Sequence, residues 1–344
     1  MTVEATIAPP PLAASGHRHS RRKRRLPLWI TVVLWVVVGA LAAVAVARVV
    51  AWDSLDILAI LNSVTVFVYL PAWIVAAVAA VGRRYVLAGA ALLVVVAQIL
   101  FMAPELTAAQ PVPGWAATAP TVRLFDANVY DGNPSMAGYA RQIEQYRPQL
   151  LTMEEATPPD VTQLRNDGAL AGLPYTVQVR RYDPWAFLVA SKYPLTGLST
   201  VSLYGQTLIV KVTVQLPSGP QPLWVVHTTG PVPQSFSTWK GQLAEINRQL
   251  RLRGPAGLLL VGDFNATWNN RGFRQILDAG MTDGAAARAR PFEMTWSQIE
   301  PFLPPVVRID HVLTGPGVAV TAVSTDEGPG SDHRDVQATV AFRR

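Results

Sequence analysis

Leu258-Leu259-Leu260-Val261-Gly262-Asp263-Phe264-Asn265 is the stretch on which the fold turns. Four apolar residues follow the turn-forming Gly254-Pro255-Ala256-Gly257 and stop at a glycine. A run this short between turn residues reads as a buried strand. Two polar side chains, Asp263 and Asn265, come directly after it. Alone, an Asp-Phe-Asn turn is a strand cap or an Asx turn. The texture recurs, however. Strands are expected over 122–125, 149–152, 176–179, 187–191, 207–214, 223–227, 257–261, 309–313 and 336–342, with amphipathic helices over Met136–Tyr146 and Phe236–Arg251. Many strands with fewer helices predict an α/β sandwich.

The polar residues that look out of place sit at the ends of these runs. Asn128 ends the first, Glu155 the second and His227 the run Leu223-Trp224-Val225-Val226-His227. Asp310 and His311 open Asp310-His311-Val312-Leu313, and Asp332 and His333 follow a Gly/Pro turn. Strand ends on one edge of a sandwich converge on one pocket. Hard oxygen ligands in that number suit Mg²⁺, and also Mn²⁺ or Ca²⁺, rather than zinc. The chain has no cysteine, which excludes a disulfide framework, a thiolate nucleophile and Cys-ligated zinc.

Half of the 344 residues are hydrophobic, and the excess lies before residue 104. Three apolar stretches, Leu28–Ala47, Ile57–Val81 and Tyr85–Ala103, each approach the roughly 20 residues a spanning helix needs. Within the second, Pro71 is tolerable in a membrane and Asn62 reads as packing. A cleaved signal peptide is the competing reading of the first stretch. Its apolar run is long for that, and two more spans follow. Nine Lys/Arg against three Asp/Glu precede Tyr85, so that of 29 basic and 23 acidic residues 20 of each remain beyond it. The formal charge of +6 therefore belongs to the anchor and says nothing of nucleic acid. Arg21–Arg25 before the first span and Arg83-Arg84 before the third place the N-terminus in the cytoplasm and everything after Pro104 outside. The expected organisation is a basic cytoplasmic tail (1–26), a membrane anchor of three transmembrane helices (27–103), an Ala/Pro-rich linker (104–120) and a catalytic domain (121–344). The protein is thus expected to be a multi-pass protein of the cell membrane with an extracellular domain.

Gly-Asp-Phe-Asn at 262–265, Asp-His at 310–311 and Ser-Asp-His at 331–333, in this order and spacing, resemble the signature of the endonuclease/exonuclease/phosphatase superfamily. That superfamily includes DNase I-like nucleases, sphingomyelinases and inositol phosphatases. Asn128 and Glu155 match its first motifs, His227 its central histidine, and Ser191-Lys192-Tyr193-Pro194 its Ser-Arg-Tyr-Pro element. The resemblance implies a four-layer α/β/β/α sandwich and in-line attack of water on phosphorus. It implies Asn128, Glu155 and Asp310 as metal ligands, and Asp263 as the residue that positions or deprotonates water. Asn265 and His227 would donate to phosphate oxygens, and His333, oriented by Asp332, would act as acid/base. Lys192 and His311 are assigned to substrate binding. The departures are Glu154 where Gln is usual, adding a negative charge beside Glu155, Lys192 where Arg is commoner, and Pro184-Trp185-Ala186 in place of a more polar stretch. A phosphodiester is anionic, so its attack needs a cation to neutralise developing charge and a positioned base.

These readings converge on a membrane-anchored metal-dependent phosphoesterase with a phosphoester substrate, a lipid bilayer as its surroundings and no protein partner evident. Zero net charge after residue 85 favours a lipid headgroup or small phosphoester over duplex DNA. An extracellular DNase is the alternative, since Arg180, Arg181 and Lys192 could grip a nucleic-acid backbone. A non-catalytic phospho-ligand-binding membrane protein is the alternative of another class. A full set of polar strand ends argues against it.

Overall fold

The computed structural model describes residues 26–183, 185–232, 234–297 and 304–343. The basic tail with Arg21–Arg25, and Pro184 of the Pro-Trp-Ala departure, lie outside the described residues. The chain begins with helices α1 (Leu28–Ala51), α2 (Asp56–Ser63), α3 (Thr65–Val68), α4 (Leu70–Val81) and α5 (Tyr85–Leu106). Helices α1 and α5 are each long and apolar enough to cross a membrane. The middle stretch, expected as one span over 57–81, instead bends by 85° at Val64. The bend has a polar cause. Asn62 donates to Asp53 at 2.6 Å, and Thr65 accepts from Arg48 at 2.6 Å, so both are pulled out of a straight apolar helix. The N-terminal helical bundle is small-in and large-out. Ala72, Ala79 and Ala91 are fully buried where α4 meets α5, while Val36, Ile74 and Leu93 face outward. Close packing through small residues with large apolar ones outside is the pattern of helices bathed in lipid.

The remaining elements, in chain order, are β1 (Thr121–Asn128), α6 (Met136–Tyr146), β2 (Leu150–Glu154), α7 (Pro158–Asn166), β3 (Tyr175–Tyr182), β4 (Trp185–Ser191), β5 (Leu195–Leu203) and β6 (Gln206–Leu216). Then follow β7 (Gly219–His227), α8 (Phe236–Arg253), β8 (Leu259–Asp263), α9 (Arg271–Asp278), β9 (Thr282–Asp283), α10 (Gly284–Ala287), β10 (Asp310–Thr314), β11 (Val318–Asp326) and β12 (Asp335–Phe342). They form two six-stranded sheets, ordered β11-β12-β1-β2-β4-β3 and β5-β6-β7-β8-β10-β9. Each sheet is antiparallel except for one central parallel pair, β1·β2 in the first and β7·β8 in the second. A parallel pair needs a crossover, and the two expected amphipathic helices, α6 and α8, supply them. The inward faces share one core containing Leu124, Val225, Val261 and Val312. Leu151 and Met153 pack outward under α6 and α7, and Leu260 and Phe264 pack outward under α8 and α9. The layers are therefore α/β/β/α, as expected.

The side-chain period of two in a strand decides what reaches the site. The inward alternation that begins at Leu124, Leu223, Leu259 and Val312 ends in Asn128, His227, Asp263 and Asp310 at one edge of the sandwich. Gly262, at φ 120°, sits where β8 runs against β7. A side chain there would strike the carbonyl of Val226 and come within 2.9 Å of Glu154 Oε1. Only glycine serves at such a crossing.

The sandwich is docked on the N-terminal helices. Arg48 donates to Asn269 Oδ1 at 2.8 Å, Trp52 to the Asn269 carbonyl at 2.9 Å, and the Arg271 amide to Asp53 at 2.6 Å. Asn270 donates to the Ala59 carbonyl, and Arg308 pairs with Glu105 at the end of α5. The segment expected as an extended linker is tied down as well, because the Gln110 amide donates to Ala287 O at 3.1 Å.

Candidate active site

Asp263 Oδ2 is the focus of the site. It accepts from Asn128 Nδ2 at 3.1 Å and Asn265 Nδ2 at 3.0 Å, with His227 Nε2 at 3.5 Å and His333 Nε2 at 4.0 Å. Its other oxygen accepts from the Asn265 amide at 2.7 Å. That turn holds Asn265 at φ 46°, a left-handed conformation that asparagine tolerates well among non-glycine residues. Glu155, also at positive φ, turns its carboxylate towards Asn128 Nδ2 (3.3 Å), the Asp131 amide (3.2 Å) and His227 Nε2 (3.4 Å). These groups line one pocket of about 460 Å³, which Arg181, Asp332 and His333 complete. Of the ten residues expected at the site, the structure brings eight together.

The two left outside are corrections. His311 is the immediate neighbour of Asp310 on β10, so it points to the opposite face of the sheet. There it is buried beside Phe273, with Nδ1 at 2.8 Å from Asp283 and Nε2 at 3.0 Å from the Ala266 carbonyl. A histidine with both nitrogens engaged and no solvent access binds no substrate. Lys192 follows Ser191, which pairs with Leu150 at the end of β2 opposite to Glu154. It is exposed and lies about four residues of strand from the pocket, roughly 13 Å.

The orientation of His333 also differs from expectation. Its Nδ1 lies 2.9 and 3.2 Å from the two oxygens of Asp310, whereas Asp332 approaches Nε2 only to 3.9 Å and accepts instead from Trp296 Nε1 at 2.9 Å. Asp310 therefore orients the imidazole, leaving Asp332 at the rim.

Burial alone would lower the His333 pKa, but the charge and hydrogen bond of Asp310, with Asp263 and Asp332 behind, raise it to about 10. Burial and the Asp310 charge push Asp263 up to about 7. Burial also raises Glu155. His227 is held well below its ordinary value by burial, then by Arg181 and His333, so its ring is neutral. Glu154 needs a correction too. It is fully buried between the sheets, neither oxygen has a hydrogen-bond partner among the described residues, and burial followed by the charges of Asp126, Asp310 and Asp263 pushes it far above the carboxylate range. That burial favours its neutral, protonated form over an added charge beside Glu155.

Sequence reading underrated Arg181. Val177 and Val179 pack on the inter-sheet core, so strand alternation places Arg181 on the same inward face, while Arg180 points out to Asp183. Arg181 donates to Gln206 at 3.2 Å, and its Nε and Nη1 have no partner among the described residues. A buried guanidinium with free donors, opening on a pocket, is a receptor for an oxyanion. Tyr130, Tyr182, Trp185 and Trp296 give the pocket an aromatic wall. Trp296 comes from a long loop without regular alternation, and nothing in the sequence marked it.

Asn128, Glu155, Asp263 and Asp332 offer the pocket hard oxygen donors, and three carboxylates crowded in this way suit a divalent cation. Asp263, Asp310 and His333 form a second cluster with ligand atoms within 4.8 Å of one another. Both Asp310 oxygens are engaged by the His333 ring, so the second cluster is better read as a hydrogen-bonded acid/base pair facing Asp263.

A two-sheet sandwich with carboxylates, carboxamides and imidazoles converging at its strand ends defines a hydrolase of phosphoric esters on a DNase I-like fold. Residues 122–333 match the model of the Endonuclease/Exonuclease/phosphatase family, and the chain belongs to that family. Enzymes of the family generally use divalent metals. Similar solved structures include a 3' phosphatase from Neisseria bound to product DNA hairpin (18% identity, 65% of this chain and 100% of that one, TM-score 0.52). A mannosyl-6-phosphatase from Bacteroides thetaiotaomicron is similar at 13% identity, covering 64% of this chain and 100% of that one, TM-score 0.52. Truncated TDP2 from Caenorhabditis elegans is similar at 14% identity, covering 64% and 97%, TM-score 0.52. A comparison with curated proteins gives no match.

Proposed function

We propose that this chain is a membrane-anchored, extracytoplasmic, metal-dependent phosphoesterase whose substrate is a lipid headgroup or another small phosphoester. The observation that carries this reading is the pocket itself. It is about 460 Å³, walled by aromatic rings, and Arg181 is the one Lys or Arg among its described lining residues. A duplex binder neutralises several phosphates and needs a basic surface to do so. Proximity to the bilayer supports the lipid reading. The loop that supplies Trp296 to the pocket also presents Phe292 beside Val64, Val66 and Leu106 of the anchor. The topology is supported from the other end of the anchor, where Arg84 donates to the Leu26 carbonyl at 3.0 Å. That contact brings the Arg83-Arg84 turn and the start of α1 to one side, away from the sandwich.

Asn128 and Glu155, with Asp332 at the rim, would hold a divalent cation, which supplies charge neutralisation at the phosphoryl oxygens. The chain's own residues do the rest. Arg181 grips a non-bridging oxygen. Asp263, fixed by Asn128 and Asn265, takes a proton from the attacking water. His333, held charged by Asp310, donates a hydrogen bond or proton on the side facing Asp263. His227, neutral, hydrogen-bonds the phosphoryl group. A nuclease is the second reading, supported by the DNA hairpin in the Neisseria neighbour.

The test uses purified full-length protein with Mg²⁺, given plasmid DNA, mixed phospholipid vesicles and sugar phosphates at equal phosphoester concentration, then EDTA. Headgroup or small-ester release, abolished by EDTA and reduced on the order of 10²-fold in Asp263→Asn, is expected. Rapid plasmid nicking with no release from the other substrates establishes the nuclease reading instead.

A further inference from the structure

We propose that a second site, at the junction of anchor and sandwich, binds the phosphate of an anionic phospholipid. A cavity of about 290 Å³ lies there, between Arg48 and Trp52 at the end of α1, Leu100 and Phe101 near the end of α5, and Trp268 and Arg274 of the sandwich. It shares no lining residue with the catalytic pocket.

Its positive charge is only partly balanced, by the carboxylate of Asp53 near Arg48. Among the described residues neither guanidinium takes part in an ion pair. Arg48 donates to neutral acceptors, Asn62, Thr65 and Asn269, and lies over the Phe101 ring at 4.3 Å. The nearby acid, Asp53, accepts from Asn62 and from the Arg271 amide. Arg274 lies 5.0 Å over the Trp268 ring, and its Nε is buried with no hydrogen-bond partner. Two cations facing one largely apolar and aromatic cavity, with Asp53 the one acid acting on Arg48, are costly unless a further anion joins them. The position says which anion. Val49 and Leu100, which also line the cavity, are 73% and 64% exposed on the outer faces of the spanning helices, where acyl chains run. A ligand with its phosphate between Arg48 and Arg274 and its chains along those residues is a glycerophospholipid of net negative charge. Trp52 and Trp268 then sit at headgroup depth, where indoles concentrate. A lipid held there would also brace the joint between the anchor and the Trp268–Arg271 segment, three residues beyond Asn265.

The inference rests on α1 and α5 lying in a bilayer, not on the catalytic assignment. The full chain is placed in nanodiscs of phosphatidylcholine, of phosphatidylcholine with phosphatidylglycerol, and of phosphatidylcholine with added inorganic phosphate, and thermal unfolding is recorded. Phosphatidylglycerol is expected to raise the midpoint by a few degrees through preferential binding to the folded state, and free phosphate is not. Arg274→Gln should abolish that rise and weaken lipid binding more than about tenfold, while keeping the wild-type midpoint in phosphatidylcholine and the wild-type turnover. Arg271→Gln, at an exposed position nearby, should keep the rise. Arg48→Gln is unsuitable alone, since Arg48 also ties α1 to Asn269. Equal midpoints in the two lipids, an equal effect of inorganic phosphate, or equal losses in the Arg274 and Arg271 variants would each overturn the proposal.

Discussion

Replacing Asp310 by Asn should drop the pKa of His333 and with it the upper pH limit of activity. The carboxylate holds Nδ1 at 2.9 and 3.2 Å inside a buried site. His333 rises from 6.5 to about 10. At 1.36 kcal/mol for each pH unit, this is roughly 5 kcal/mol in favour of the imidazolium. Burial works against that charge, and Asp310 does most to overcome it. Asparagine keeps the shape and loses the charge, so the ring should return to about 6.5 or below. The sign follows directly. A raised histidine keeps its proton up to its folded pKa and loses it above. Wild-type imidazolium therefore persists at pH 8, about 99% populated, while a ring titrating at 6.5 is about 3% charged there. If the charged ring acts in catalysis, Asp310→Asn should lose about 30-fold in kcat/KM at pH 8 and recover as the pH falls towards 6.

The assay has two parts. One is the pH profile of kcat/KM on a chromogenic phosphodiester for both proteins. The other is an NMR titration of His Cε1 in the cation-free protein, tractable because the chain has five histidines. A His333 midpoint that stays above about 9 in the variant would refute the electrostatic reading of the pair. A loss of activity equal at every pH would instead make Asp310 a ligand or a structural residue.

Glu155→Gln should raise the Mg²⁺ concentration for half-maximal rate by more than about tenfold, read from rate against Mg²⁺, with unfolding temperature unchanged. His311→Leu should destabilise by about 1–3 kcal/mol through the bonds lost to Asp283 and Ala266, seen in denaturant unfolding, while folded molecules keep near wild-type turnover. A reporter fused after Arg344 should be active only if it functions outside the membrane; a cytoplasm-only reporter that works there would reverse the anchor topology.

How much the sequence disclosed depended on whether one strand or two chains of reasoning were needed. Polar residues ending apolar runs were visible at once, since Asn128, His227 and Asp263 break hydrophobic stretches that have no local use for them. The crossover helices α6 and α8 were legible from period and length. Strands β5 and β11 were not. Most of β5 is exposed and carries Thr196-Gly197-Leu198-Ser199-Thr200, which has no alternation to read. Helix α7 lies where no helix is expected, although Thr157-Pro158-Pro159-Asp160 forms a capping box with proline in the first turn, a start signal written in the sequence.

Asp310 and His311 mark where local reading stops. Both are polar and stand together at the head of one strand, and the motif groups them. The pleat separates them: Asp310 faces the core between the sheets and holds His333, while His311 faces α9 and is locked to Asp283, whose other oxygen accepts from Arg308. Arg308 in turn pairs with Glu105 of the anchor. Adjacent residues thus serve two masters, one the reacting centre and the other the joint with the N-terminal helices. The same split runs through the turn after β8, where Asn265 fixes Asp263 and Asn269 takes the hydrogen bond from Arg48. The N-terminal helices are therefore built into the walls of the site's supporting loops, and cutting them away should leave the sandwich with the buried Arg308 stripped of Glu105 and paired with Asp283 alone.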